Sequence, residues 1–478
     1  MTPVDCFDGR FVARTLDDDL LVFKGIRYAT AERFAPPVIY QHADVPYEAY
    51  EYGSSPMQTP GMLEQLLGMT DHDFNEDCLF LNIYAPTSKS DKPRPVLFWI
   101  YGGGFVNGSS SIAWYDGSNL ARSANAVVVT INYRLGVFGF LGSTNLGLLD
   151  QICALKWVNR NIAAFGGDPE NVTVFGESAG GASVVALLAA RDAQPYFAKA
   201  WAMSPSIGQY STIERATQQT LDLLKHAGVS TEKELLQLNA SALLAAQQKV
   251  IASSAEPFSA FAPTQDGAIL PLDLLDAAAK NPKPFVIGTN KDESRLWLMF
   301  DPNENQLDEP GAKAALNKRT GHATDVWSVY KSSRPTYNPS QIVAAYDSDA
   351  NFRKHAWHLL KRREENAHLS WSYWFTWPSP TFDRLLGSCH ALDIPFFFAN
   401  EAIAGADVII GSGETQKMLS SVAARMLAQF AYHGRQEWPP YNTRDRATYV
   451  LDEECRLEQQ PDDDLYDYWI QVLVNETS

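Results

Sequence analysis

Val172-Thr-Val-Phe-Gly-Glu-Ser-Ala-Gly-Gly181 begins as a buried β-strand and ends where a helix starts. Val172 to Phe175 are strand formers, and the run Ala182 to Ala190 is rich in alanine, valine and leucine, as a helix prefers. Between them Ser178 sits in Gly-x-Ser-x-Gly, so the order is strand, tight turn, helix. A turn that sharp lifts the serine hydroxyl above the sheet edge and aims a helix N-terminus at it. Gly176 and Gly180 suit the turn because a Cβ at either place would run into the neighbouring strand and helix. The same pentapeptide also arises where a serine caps a helix after a glycine turn, so its context has to carry the weight.

Upstream, Ile152, Leu155, Val158 and Ile162 recur at helical spacing until Gly166-Gly-Asp-Pro169 stops the helix. Pro95 to Tyr101 and Ala126 to Tyr133 read as buried strands. Downstream, Ala198 to Met203 and Phe285 to Gly288 read as further strands, Trp371 to Trp377 alternates like a strand, and Gln416 to His433 reads as a helix. Strands alternating with helices predict an α/β fold with a large, mostly parallel central sheet covered on both faces. At roughly 150 residues per domain, 478 residues suggest three domains. The absence of a linker or repeat favours one domain over 1–478, with a mostly helical layer at about 211–280 and a further helical insertion at about 301–368.

With 39 Lys+Arg against 56 Asp+Glu the net charge is −17, which disfavours a nucleic-acid partner. The composition, 45% hydrophobic and 20% charged, is that of an ordinary globular protein. No apolar run reaches the length of a membrane span, and the N-terminal stretch lacks the apolar core of a signal peptide. The expected location is cytoplasmic, or secreted if this chain is a processed form. Cys6, Cys78, Cys153, Cys389 and Cys455 are odd in number and scattered, as mostly free thiols in a reducing compartment would be, with a single disulfide as the alternative.

Gly102-Gly-Gly104 follows the Pro95–Tyr101 strand. Three glycines let backbone N–H groups point into a cleft, and the expected oxyanion hole combines the N–H groups of Gly103, Gly104 and Ala179. A serine needs a general base, and seven histidines follow Ser178. His355 and His358 lie in a Lys/Arg-rich stretch and read as a solvated helical face rather than metal ligands, while His226 and His433 fall near helix ends. His390, in Gly387-Ser-Cys-His-Ala391, lies on a loop after the aromatic strand, where a catalytic histidine belongs. Its ordinary pKa of about 6.5 would set the acid limb of activity. Asp292 or Glu293, just past the Phe285 strand, could orient it, and spacing does not choose between them. The chain order serine, acid, histidine is that of an α/β-hydrolase.

With these residues in place, the chain resembles the type B carboxylesterase family, which includes bacterial p-nitrobenzyl-type esterases and the cholinesterases. The likeness runs through Phe23-Lys-Gly-Ile-Arg-Tyr-Ala29, Arg33-Phe-Ala-Pro-Pro37, Glu76-Asp-Cys-Leu-Phe-Leu-Asn82 and Tyr101-Gly-Gly-Gly-Phe105. It continues in Asn132-Tyr-Arg-Leu-Gly136, Asn145-Leu-Gly-Leu-Leu-Asp-Gln151 and the whole of Phe165 to Gly181. The resemblance implies Ser178 as nucleophile, His390 as base and, from Lys291-Asp-Glu-Ser294, Glu293 as acid, with Glu177 and Ser204 in supporting places. It implies a serine carboxylesterase acting on small-molecule esters through an acyl-enzyme, with no cofactor and no metal; a lipase-like esterase or a non-catalytic adhesion relative of the same fold are the alternatives. Tyr101 stands where many members have histidine, and the usual partner of Cys78 is missing from Gly53-Ser-Ser-Pro-Met-Gln58. The loop Thr59 to Glu76 has no tryptophan, which argues against choline specificity. Phe105, Ile207, the 211–280 layer and Phe396 to Phe398 are the expected pocket walls. These motifs do not set an oligomeric state.

Overall fold

The computed structural model describes residues 3–61, 73–254 and 259–476. Among them eleven strands form one mixed sheet. In chain order these are β1 (Arg14–Leu16), β2 (Leu20–Arg27), β3 (Phe80–Pro86), β4 (Arg94–Ile100), β5 (Val127–Ile131) and β6 (Gly167–Glu177). They continue with β7 (Lys199–Met203), β8 (Phe285–Asn290), β9 (Ser370–Phe375), β10 (Thr448–Leu451) and β11 (Arg456–Glu458). The spatial order is β11-β10-β9-β8-β7-β6-β4-β5-β3-β2-β1. Pairing is parallel from β10 through β5 and antiparallel at both edges.

The parallel strands β4, β5, β7, β8 and β9 are buried along their whole lengths, which is why they read as unbroken apolar runs. Strand β6 starts at Gly167 rather than Val172, because Gly167 already pairs with Arg94 before a register shift. The antiparallel strands β2 and β3 went unread in the sequence: burial along β2 falls in no strict alternation, so no period-two signal marks it.

Helix α1 (Leu146–Asn161) continues as a 3₁₀ turn to Phe165 and ends at Gly166, whose φ of 81° closes it in the left-handed conformation. Helix α2 (Ala179–Ala189) is buried at every residue, wedged against β6 and β7 on one side and the helix Leu274–Ala279 on another. In the 211–280 region lie α3 (Ile213–Ala227), capped by Thr212 and closed by Gly228, and α4 (Ala240–Ser253). Three helices between Glu309 and Ser348 lead through one π-helical turn, Asp349–Arg353, into α5 (Lys354–Glu365). With the helix Asp463–Glu476 they enclose a second apolar core around Leu316, Tyr330, Ile342 and Trp469. Helix α6 (Glu414–His433) packs beneath β4 and β6. Among the described residues no helix is long and apolar enough to cross a membrane.

Candidate active site

The sheet itself gathers the chemistry. Gly102 follows β4, Ser178 follows β6, Glu293 follows β8 and His390 lies beyond β9, so all stand at the carboxyl edge of parallel strands. β4 pairs with β6 and β8 with β9, which sets glycines beside serine and acid beside histidine.

Ser178 has φ 57° and ψ −120°, a strained conformation held by its N–H bond to Met203 C=O at 2.9 Å. A Cβ on Gly176 would stand 2.6 Å from backbone atoms of Gly180 and Ile100, and one on Gly180 only 2.0 Å from Ile100 C=O. Crossing backbones leave no space for a side chain at either position, as the sequence reading required. The serine is half-buried at the N-terminus of α2, with the Ala179 N–H next to it. Gly103 adopts φ 106°, and its C=O takes the N–H groups of Val106 (3.1 Å) and Asn107 (2.9 Å), turning the Gly102–Gly104 backbone along the cavity wall. Tyr101 lies behind this run, stacked on Tyr133 at 4.6 Å.

Between Asp292 and Glu293 the geometry chooses. Glu293 Oε2 lies 2.7 Å from His390 Nδ1, while its Oε1 takes the Asn290 N–H at 2.7 Å. Asp292 is held elsewhere, by the Tyr337 hydroxyl at 2.5 Å, Arg295 at 3.2 Å and the Ser388 N–H at 3.1 Å. His390 Nε2 has no hydrogen-bond partner among the described residues and stands 3.1 Å from Glu177 Oε1, itself unpartnered. Burial alone would lower the imidazole, but the carboxylates of Glu177 and Glu293 outweigh it and carry His390 up to about 9, which corrects the ordinary value expected from the sequence. Burial lifts Glu177 to about 8 against the pull of His390. Ser204 is fully buried with an unpartnered Oγ, and its N–H binds Gly288 C=O at 2.8 Å.

Residues missed in the sequence form a bracket behind this pair. Asn290 donates its side-chain amide to Cys389 C=O at 2.7 Å and to Asp393 at 3.4 Å, and Asp393 accepts from the Tyr373 hydroxyl at 3.1 Å. Asp393 is buried, which raises its carboxyl to about 7, and the charge of Glu293 adds to the effect. Its place three residues after His390, inside an otherwise apolar turn, was the one available signal.

Ser178, Glu177, His390 and Gly102 to Gly104 all line one cavity of about 1140 Å³. The expected walls need correction. Phe105 packs on Phe140, Phe396 on Phe375, Phe397 on Trp201 and Phe398 on Trp99, all in the core, and Ile207 is buried off the cavity. The aromatic wall is instead Trp297, Phe300 and Phe352, with Tyr115 also lining the cavity, and Gln248, Ile251 and Ser259 are supplied by the 211–280 region. His355 also needs correction: it lines the cavity, covered by the chain at Gly208, instead of standing on a solvated face. Residues 62–72 of the Thr59–Glu76 loop lie outside the described residues. All five cysteines are free. Among the described residues no cluster of His, Cys, Asp and Glu is suited to a metal.

A serine raised on such a turn, with acid and histidine following in that chain order from neighbouring strand ends, defines an α/β-hydrolase. The model of the carboxylesterase family matches residues 6–469, and the chain belongs to that family. It is 36% identical to the para-nitrobenzyl esterase of Bacillus subtilis (strain 168), over 94% of this chain and 95% of that one. It is 31% identical to the phenmedipham hydrolase of Pseudarthrobacter oxydans, over 92% and 93% of the two chains. The crystal structure of a Geobacillus stearothermophilus carboxylesterase matches with a TM-score of 0.86 at 32% identity, covering 98% of this chain and all of that one.

Proposed function

We propose that this carboxylic ester hydrolase works through an acyl-enzyme on Ser178. His390 Nε2 takes the Ser178 proton as Oγ attacks the ester carbonyl, and the N–H groups of Gly103, Gly104 and Ala179 hold the oxyanion. The imidazolium, charge-balanced by Glu293, returns that proton to the departing alkoxide, which leaves as alcohol. Water then gives a proton to His390 as its hydroxide adds to the acyl carbon, and the bond to Ser178 Oγ breaks as His390 passes that proton to Oγ, releasing the acid and restoring both residues. The observation that carries this reading is the 2.7 Å Glu293–His390 contact, with Nε2 left unpartnered in the cavity that Ser178 lines. Ser178→Ala should lower kcat for p-nitrophenyl acetate by on the order of 10⁴-fold or more. Turnover at the wild-type level would remove the serine from the mechanism.

The substrates are small-molecule esters, and the cavity volume suits an ester of drug-like size. We also read the chain as one hydrolase domain, because the helices at 211–280 and 301–368 connect strands of a single sheet. The five unpaired thiols support a reducing compartment such as the cytoplasm.

A further inference from the structure

Buried polar atoms are normally paired, and an unpaired one in a cavity wall marks a place where a ligand's polar group belongs. Two residues three apart in the segment after β7, which is hydrogen-bonded to Ser178, carry such atoms. Ser206 is 2% exposed, its N–H binds Ser178 C=O at 3.2 Å, and its Oγ has no partner. Gln209, at the end of the 3₁₀ turn Ile207–Gln209, has an equally unpartnered buried Oε1. Both residues line the cavity that holds Ser178 and His390.

The third element comes from the neighbouring helix α5. His355 opens α5 just after the π-helical turn, and that turn packs on the 3₁₀ turn of Gln209. A Cβ at position 208 would stand 2.8 Å from His355 Nε2. Gly208 does not need its glycine for backbone reasons, since its φ is not positive. Its missing side chain leaves room for the imidazole edge beside the chain, and Gly208 and His355 both line the cavity. Burial, with Lys354 and His358 adding to it, pulls His355 down to about 3, so the ring is neutral and offers one N–H and one lone pair. A hydroxyl, a carboxamide and a neutral imidazole together match a neutral group that both donates and accepts. None of the three carries a charge that would neutralise a carboxylate or an ammonium ion. The aromatic wall of Trp297, Phe300 and Phe352 supplies the apolar part of the same cavity.

We propose that Ser206, Gln209 and His355 form a polar subsite that selects esters carrying a hydroxyl or an amide-type N–H/C=O group at a distance from the scissile carbonyl. The inference rests on the ester-hydrolase reading above and names its substrate class. The unpaired polar atoms of the subsite gain a partner only from a substrate that carries such a group, and that is the origin of the discrimination.

The test uses the full chain and matched ester pairs of increasing length. One arm compares p-nitrophenyl esters of ω-hydroxy and ω-acetamido fatty acids with unsubstituted esters of equal size. The other compares hydroxyalkyl and acetamidoalkyl butyrates with plain alkyl butyrates, so the arms separate an acyl-side from an alcohol-side location and hydroxyl from amide. At the length that reaches the subsite, kcat/KM for the polar ester should exceed that of its apolar match by about tenfold. That ratio, taken within each variant so that a general loss of activity cancels, should collapse toward one or below in Ser206→Ala, Gln209→Leu and His355→Phe. Turnover of the unsubstituted esters with no polar preference at any length, or a preference unchanged in all three variants, overturns the subsite and leaves the hydrolase reading standing. Failure to hydrolyse any ester takes down both.

Discussion

Glu177 stands closer to His390 Nε2 than its role as the residue before the nucleophile required, at 3.1 Å and with no hydrogen bond to hold Oε1 elsewhere. A carboxylate there stabilises the imidazolium and raises the pKa of His390; removing its charge lowers that pKa. The unprotonated base then persists to lower pH. Glu177→Gln should therefore move the acid limb of kcat/KM to lower pH than in the wild type, read from a pH–rate profile; an unmoved limb, or one displaced upward, contradicts the assignment. At this scale the sequence was most legible where the constraint was local. Gly176, Ser178 and Gly180 are dictated by backbone atoms a few ångströms away in one turn. Asp292 and Glu293 were inseparable because contacts from distant chain, Tyr337 and Ser388, occupy the first and leave the second for His390. His355 was misread for the same reason: its flanking lysines and arginines are local, whereas Gly208, which covers it, is far upstream.

Two strand ends have to be held in register for the acid to meet the histidine. The Asn290 side chain ties the end of β8 to the Cys389 carbonyl, while its backbone N–H fixes Glu293. Asn290→Ala removes the tie without touching any reacting atom. It should lower kcat by roughly tenfold with KM little changed, since small misplacements of catalytic groups are costly; steady-state kinetics on a p-nitrophenyl ester would show it, and an unchanged kcat would mean the loop needs no such clamp. The parallel strands were legible because both faces are covered and each becomes an unbroken apolar run. The antiparallel edge was not, since β1 is exposed throughout and β2 is covered irregularly on both faces. The bracket of Asn290, Asp393 and Tyr373 was invisible because it joins three separate segments through polar contacts that leave no periodic trace.

The helices from Glu309 onward and the C-terminal helix share a second core, and a buried charge cluster joins them. Asp462 meets Arg334 and Arg353, all three largely buried. Burial would raise its carboxyl, but the two guanidiniums hold it well below the usual carboxylate range. A depressed folded value means this stabilisation is present above the ordinary carboxylate pKa and is lost as pH falls through the folded value. Asp462→Asn leaves two buried guanidiniums without their charge partner and should cost about 3 kcal/mol, measured by denaturant unfolding at neutral pH; a change under about 0.5 kcal/mol, the size of an ordinary surface substitution, would contradict it. The helical character of 301–368 was readable, but its docking against the C-terminus was not, since ion pairs over such separations have no sequence signature. The central claim concerns the whole assembly at the sheet's carboxyl edge, and covalent labelling tests it most directly. Treatment with an organophosphate ester, followed by peptide mass spectrometry, should place one phosphoryl group per chain on Ser178, in step with loss of ester turnover. Complete inactivation with the adduct on another residue, or full labelling of Ser178 with turnover intact, would contradict it.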